Sequence, residues 1–248
     1  MIKIFCMVVL SVSIYAKPMV TYIRGDSPII LTSPHGTSPK NGVVPNTPLR
    51  KNSYIKGFKT IWDTNTKKIT KQIQFILINK YNIRPYVIIA NFNRAYIDAN
   101  RKPKHAYEVD EAKEHYDAYH NSIKMAISSI KKKHNRGLLL DIHGQKFNPD
   151  TIYLGTLNKK SIKIPIYGKS SINDILTKSG YEIIPKNKNN KEIKYKGGYT
   201  IHKYGSHHKN GIDSIQIEIG KNLRMSKKDI KLVSQAIAKY ISLYVNSK

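Results

Sequence analysis

Two histidines in this chain follow apolar runs and are themselves followed by glycine: His35 in Ser-Pro-His-Gly and His143 in Asp-Ile-His-Gly. A histidine in that setting sits at the rim of a sheet, where an ion or a substrate can reach it. The plainer alternative is a rim histidine bonded to a loop carbonyl. Two of them on separate strands point to a zinc site more than either does alone. Catalytic zinc takes three protein ligands and keeps a further position open. The third ligand would be a carboxylate or another histidine. Asp63, which opens the helical pattern after the His35 loop, is the first choice. Its other reading is an ordinary N-terminal helix carboxylate favoured by the helix dipole.

Glu218 stands in the run Ser-Ile-Gln-Ile-Glu-Ile at 214–219. Alternation puts Gln216 and Glu218 on one face of a strand and the isoleucines on the other. A carboxylate in so apolar a strand is costly unless paired or used. Used, it is a general base that takes a proton from water and delivers it to a leaving amine. Unused, it is half of a buried ion pair. Arg94, Asn100 and Arg101 flank Asp98. A guanidinium meets a carboxylate through two parallel hydrogen bonds, so an Asn–Arg pair here would clamp a substrate carboxylate, with Arg94 as a second anion contact. The alternative is structural pairing of the arginines with Asp98 and Asp141.

These residues need elements to hold them. Apolar runs at 28–33, 86–92, 137–142, 151–156 and 214–219 read as strands, and 198–204 as an alternating strand. Helical spacing marks 61–81, 107–133 and 226–245, with a shorter helix at 171–179. Strands alternating with helices predict an α/β three-layer sandwich around a central, mainly parallel, mixed sheet. Chemistry in such sheets sits beyond the carboxyl ends of the strands, which is where the residues above fall. The Lys/Asn-rich stretch 185–195 reads as loop.

Composition limits the alternatives. The 248 residues carry 43 Lys+Arg against 16 Asp+Glu, a formal charge of +27, which raises nucleic acid as a partner. Only seven of the cations are arginines, whereas readers of nucleic acid favour Arg for bidentate contacts. Lys, Asn, Ile and Tyr are abundant together, a composition that codon bias alone can produce. We therefore expect no specific nucleic-acid partner, and a field that favours small anionic substrates at low salt. The single cysteine, Cys6, excludes an internal disulfide. It falls in a leader-like segment: Lys3, then thirteen uncharged residues from Ile4 to Ala16, then Lys17. As a helix that run is about 20 Å long, short of a bilayer core. Residues 1–16 are thus expected to be a secretory signal peptide, giving a secreted or periplasmic protein with no membrane association after cleavage.

Taken in order, Ser-Pro-His35-Gly, Arg94-Ala-Tyr-Ile-Asp98-Ala-Asn100-Arg101, Tyr116-Asp-Ala-Tyr-His120, Leu-Leu-Asp141-Ile-His143-Gly, Gly197-Gly-Tyr-Thr and Gln216-Ile-Glu218 resemble the N-formylglutamate amidohydrolase family. That family is similar to zinc carboxypeptidases and aspartoacylases. The resemblance implies one catalytic domain over 17–248 with the carboxypeptidase-like fold. It implies zinc on His35 and His143, a substrate carboxylate on Asn100 and Arg101, and Glu218 as base. The substrate class it implies is an N-acyl amino acid or a peptide with a free carboxylate. One feature departs from the pattern. The carboxypeptidases place a glutamate ligand three residues after the first histidine, where this chain has Ser38, and no carboxylate follows His35 until Asp63. Two rival readings are a carboxypeptidase-like peptidase and a non-enzymatic cationic protein that binds nucleic acid or anionic surfaces.

Overall fold

Four apolar runs of the chain pair side by side as parallel strands, because a segment buried on both faces can satisfy its backbone only against other strands. The computed structural model describes residues 18–51 and 57–247. Its strands are β1 (Val20–Ile23), β2 (Ile29–Ser33), β3 (Tyr86–Ala90), β4 (Leu138–Gln145), β5 (Thr151–Gly155), β6 (Glu182–Ile184) and β7 (Asp213–Gly220). They form one sheet in the order β1-β3-β2-β4-β7-β5-β6. The middle four run parallel, while β1 lies antiparallel to β3 and β5 antiparallel to β7. The sheet is therefore mixed, with its parallel part at the centre.

The helices are α1 (Thr66–Tyr81), α2 (Lys113–Lys133), α3 (Ile172–Lys178), α4 (Tyr199–Tyr204) and α5 (Lys227–Asn246). Ile69, Ile73 and Leu77 of α1 and Val233, Ile237 and Ile241 of α5 pack in one core with Leu138, Leu140 and Ile142 of β4. Tyr116, Tyr119, Ile123 and Ile130 of α2 pack in a second core with Ile30, Ile88 and Leu139. Two apolar layers on opposite faces of one sheet make the three-layer α/β sandwich.

Strand phase decides what reaches the site. Side chains alternate across a strand, so Asp141 and His143 share the α2 face with Leu139, opposite Leu140 and Ile142. In β7 the isoleucines 215, 217 and 219 join the α1/α5 core, which leaves Gln216 and Glu218 on the other face. The register then sets Asp141 beside Gln216 and His143 beside Glu218.

Three expectations need correction. The expected strand at 198–204 is instead helix α4, with Gly198 as its N-cap. Over six residues, period 2 and period 3.6 are hard to separate; Ile201 and Tyr204, three apart, are buried together in the α2-side core. Helix α1 starts at Thr66, so Asp63 lies in the preceding turn, where its carbonyl accepts from Thr66 N at 3.2 Å. Strand β4 runs on to Gln145, which puts His143 inside the strand instead of just past it. The short strands β1 and β6 had not been anticipated. The expected leader at 1–16 lies outside the described residues.

Candidate metal centre and its cleft

His35 leaves β2 through Pro34 and is 2% exposed. Its Nε2 lies 2.6 Å from Asp98 Oδ1. His143 is equally buried, and its Nε2 lies 2.9 Å from Asp141 Oδ2. An aspartate accepts only when ionised, so each ring is assigned Nε2–H, which turns the lone pair of each Nδ1 the other way. Both lone pairs point at one atom. Asp63 Oδ2 lies 3.4 Å from His35 Nδ1 and 3.2 Å from His143 Nδ1. His35 Nδ1 makes no well-formed hydrogen bond although it is buried.

Three such atoms converging would repel one another, and a positive charge among them, a proton or a metal ion, resolves the conflict. Donors at 2.0–2.2 Å from a tetrahedral ion stand about 3.4 Å apart, close to the spacings seen here. A carboxylate on the far nitrogen of each ring is also the usual support for a metal-bound histidine. His35, Asp63 and His143 could therefore hold a metal ion.

The supports are held in their turn. Arg94 Nη2 donates to Asp98 Oδ2 at 2.8 Å, and its Nη1 lies 3.6 Å from Asp63 Oδ1. Arg50 reaches Asp98 Oδ2 at 3.5 Å and donates to the carbonyls of Arg94, His105 and Lys59. Thr32 of β2 donates to Asp141 Oδ1 at 2.6 Å. Burial works against the charge of Asp98, yet Arg94, His35 and Arg50 hold its carboxyl well below the ordinary range. Burial works against His143 in the same way, yet Asp141 and then Asp63 keep it well above the ordinary histidine value. With no ion in the site, a proton on Nδ1 shared with Asp63 supplies that positive charge, and a metal ion would take its place.

Glu218 lines the cleft beside this centre. Gln216 Nε2 donates to Glu218 Oε1 at 2.7 Å, and Gly198 N donates to Gln216 Oε1 at 2.5 Å. Burial pushes the Glu218 carboxyl up, against the pull of His143 and with the push of Asp63. The carboxylate is thus oriented but under-bonded, which suits a group that must take up and release a proton.

Asn100 Oδ1 accepts from Thr200 N at 2.8 Å at the start of α4. Its amide nitrogen lies 3.2 Å from His143 Nε2. Gly198 is required above it, because a Cβ there would come within 2.1 Å of Asn100 Nδ2. Arg101 is the more open neighbour: its side chain is 30% exposed, with Nε 3.8 Å from Asp98 and Nη2 donating to Gly57 O at 2.5 Å. Arg94, expected as a second anion contact, lines the same cleft while its guanidinium spans Asp98 and Asp63. All seven residues singled out from the sequence therefore meet in one cleft of about 1330 Å³.

Sequence reasoning named Asp98 and Asp141 only as possible partners of arginines, and it missed Arg50 entirely. The Asp-Ile-His spacing was the available signal for Asp141, since residues two apart share a strand face. Arg50 sits in a Pro- and Asn-rich loop with no periodicity to place it. His120 is buried among the rings of Tyr116, Tyr119, Tyr199 and Tyr204 and bonds Tyr204 Oη through Nδ1 at 2.9 Å. Burial, then Lys203, pushes its pKa down to about 3, so it is a neutral packing residue behind the Asp98–Arg101 turn. The rings of His207 and His208 lie tilted against each other, 4.1 Å between centroids, and both donate to the His202 carbonyl at the cleft rim.

No protein-family model and no curated protein matches this sequence. Solved structures do match it in shape. An N-formylglutamate amidohydrolase from Ralstonia eutropha JMP134 superposes with a TM-score of 0.62 at 17% identity, over 92% of this chain and 99% of that one. A gene product of Agrobacterium tumefaciens superposes with a TM-score of 0.58 at 12% identity, over 92% and 96% of the two chains. The fold of this protein is thus similar to that of an N-formylglutamate amidohydrolase across nearly its whole length.

Proposed function

We propose that this protein is a secreted, zinc-dependent hydrolase of an amide bond next to a carboxylate, with an N-acyl amino acid or a peptide as substrate. The observation that carries the reading is the register of β4 and β7. It sets His143, one of three converging donors, directly beside Glu218, an oriented and under-bonded carboxylate. The name of the Ralstonia structure supports the amide as the bond attacked.

His35, Asp63 and His143 would hold the ion, with Asp98 and Asp141 fixing the two rings. Bound zinc supplies Lewis acidity, which polarises a carbonyl and acidifies water. Glu218 takes the proton of the attacking water as its oxygen adds to the acyl carbon. It then gives that proton to the departing nitrogen as the C–N bond breaks, leaving a carboxylic acid and an amine. Gln216 keeps Glu218 in place by donating to one oxygen, so the other is free for the proton. Arg101, with Asn100 beneath it, holds the substrate carboxylate and so sets the scissile bond against Glu218. Arg94 holds Asp98 and Asp63 in position at the floor.

Metal analysis combined with hydrolysis assays tests this. The expected result is about one zinc per chain in the purified protein, lost in His35→Ala, with chelator-sensitive release of amino acid from N-acyl amino acids. Protein that binds no metal with His35 intact, or Glu218→Gln with full activity, would overturn the mechanism.

A further inference from the structure

The cleft is larger and more cationic than a single N-acyl amino acid requires. Pockets that bury a drug-sized molecule run to about 300–1,000 Å³. This one is about 1330 Å³. Lysine is common throughout the chain, so its presence in the cleft must be weighed against that background. Of 248 residues, 43 are Lys or Arg, roughly one in six. Of the 27 residues lining the cleft, eight are Lys or Arg, nearly one in three, and the two acids are Asp63 and Glu218 at the centre itself.

Of the five cleft lysines, three lie on two segments. Beyond Arg101 the chain continues through Lys102 and Lys104, and helix α4 brings Lys203 to the same cleft. Thr200 N of α4 donates to Asn100 Oδ1, so α4 and the segment that runs on through 102–105 line one side of the cleft together. Lys203 Nζ is placed over the rings of Tyr199 and Tyr204, at 5.1 and 5.7 Å from their centroids. Among the described residues, none of these three lysines has a carboxylate partner, so their charges are available to a ligand.

We propose that the cleft takes an acidic peptide, a chain with carboxylates on successive residues, and that Lys102, Lys104 and Lys203 form a shelf beyond Arg101 for its further carboxylates. This rests on the hydrolase reading above and names the substrate class of the same site. Three separate ammonium groups can each meet a carboxylate, where one guanidinium serves only one.

The test uses N-acetylated oligo-glutamates of one to six residues on the zinc-loaded protein and on a Lys102→Gln/Lys104→Gln/Lys203→Gln variant. In wild type, kcat/KM should climb at least ~30-fold from one to four residues, and the gain should shrink as salt rises. The variant should lose ~10-fold or more on the tetramer while staying within about twofold on the single residue. A flat length dependence, or equal loss on short and long substrates, would overturn the shelf. Binding of the labelled hexamer to Glu218→Gln, read by fluorescence anisotropy, separates this idea from the mechanism. Length-dependent binding that the three lysine changes abolish supports the shelf even if no peptide is cleaved. Absence of binding, or tighter binding of a single-stranded oligonucleotide of equal charge, overturns it.

Discussion

Glu192 and Glu218 are both under a tenth exposed, and both grip the loop at 185–198 that joins β6 to α4. Glu192 sits inside the loop and is saturated. It accepts from Thr156 N, Thr156 Oγ1 and Asn158 N, and its own N–H donates to Asn158 Oδ1 at 2.8 Å. Those bonds close a turn at Leu157, Asn158 and Lys159, three successive residues with positive φ. Glu218 is linked to the end of the same loop through Gln216, which takes Gly198 N with its oxygen and gives its amide to one Glu218 oxygen. A buried carboxylate whose lone pairs are all used is a fastener. One left partly unused, beside a cluster of cation-seeking donors, carries a desolvation cost that marks it as a candidate for chemistry.

The sharpest way to break this contrast is to replace each glutamate by its amide. Glu218→Gln should lower kcat/KM by about 10²–10⁴-fold, the range for removal of a general base, without lowering the thermal midpoint. Stability can carry the argument further, in metal-free protein held in chelator. Burial raises the folded-state pKa of Glu218, so its neutral form favours folding. That stabilisation is complete below the unfolded value near 4.3 and is lost as pH rises through the folded value. The amide variant should therefore match wild type in acid and exceed it at neutral pH, as read by thermal melts across that window. A variant less stable than wild type at pH 7 would make Glu218 a second fastener.

Glu192→Ala should give the opposite profile. It strands two backbone N–H groups and a hydroxyl in a buried turn, at a cost of about 1–3 kcal/mol for each group that water cannot reach. Denaturant unfolding should show a loss of about 3 kcal/mol. Because the loop carries Tyr195, Gly197 and Gly198 into the cleft, KM should rise several-fold, roughly 5-fold, with a smaller change in kcat. A change confined to kcat would show that Glu192 touches the chemistry.

The two glutamates also differ in how they could be read from the chain. Glu218 was legible because a strand has period two: five flanking positions were enough to put it on Gln216's face, away from the isoleucines. His35 and His143 were legible for a related reason, since apolar runs mark where buried strands deliver their side chains. Glu192 was not. It is a lone acid in Pro-Lys-Asn-Lys-Asn-Asn-Lys-Glu, a run whose composition says loop, and nothing local announces that its carboxylate fills a turn 34 residues away. Arg50 was hidden in the same way, because its partners come from three separate segments. The misreading of α4 has a different cause. Six residues cannot separate helix from strand, and the deciding contact, Thr200 N on Asn100 Oδ1, spans 100 residues.

Gln216 lies between the two extremes, so it gives the finest test of the contrast. Its side chain ties the loop at Gly198 to Glu218. If the loop and the base are separate devices, Gln216→Leu should behave as a mild loss of both, with KM and kcat each changing by about 2-fold to 5-fold. If Gln216 chiefly aims the base, kcat should fall by about 10-fold with KM unchanged, and Gln216→Asn should not restore it, because the shorter amide cannot hold both partners. A kinetic split of this kind separates aim from fastening, since a merely structural residue would shift KM and stability while leaving the acidic limb of the pH–rate profile where it is. Loss of the Gln216 donor removes a hydrogen bond from the buried Glu218 oxygen, which raises the carboxyl further. The acidic limb should therefore move to higher pH in Gln216→Leu, and a limb that does not move would mean that some group other than Glu218 carries the proton.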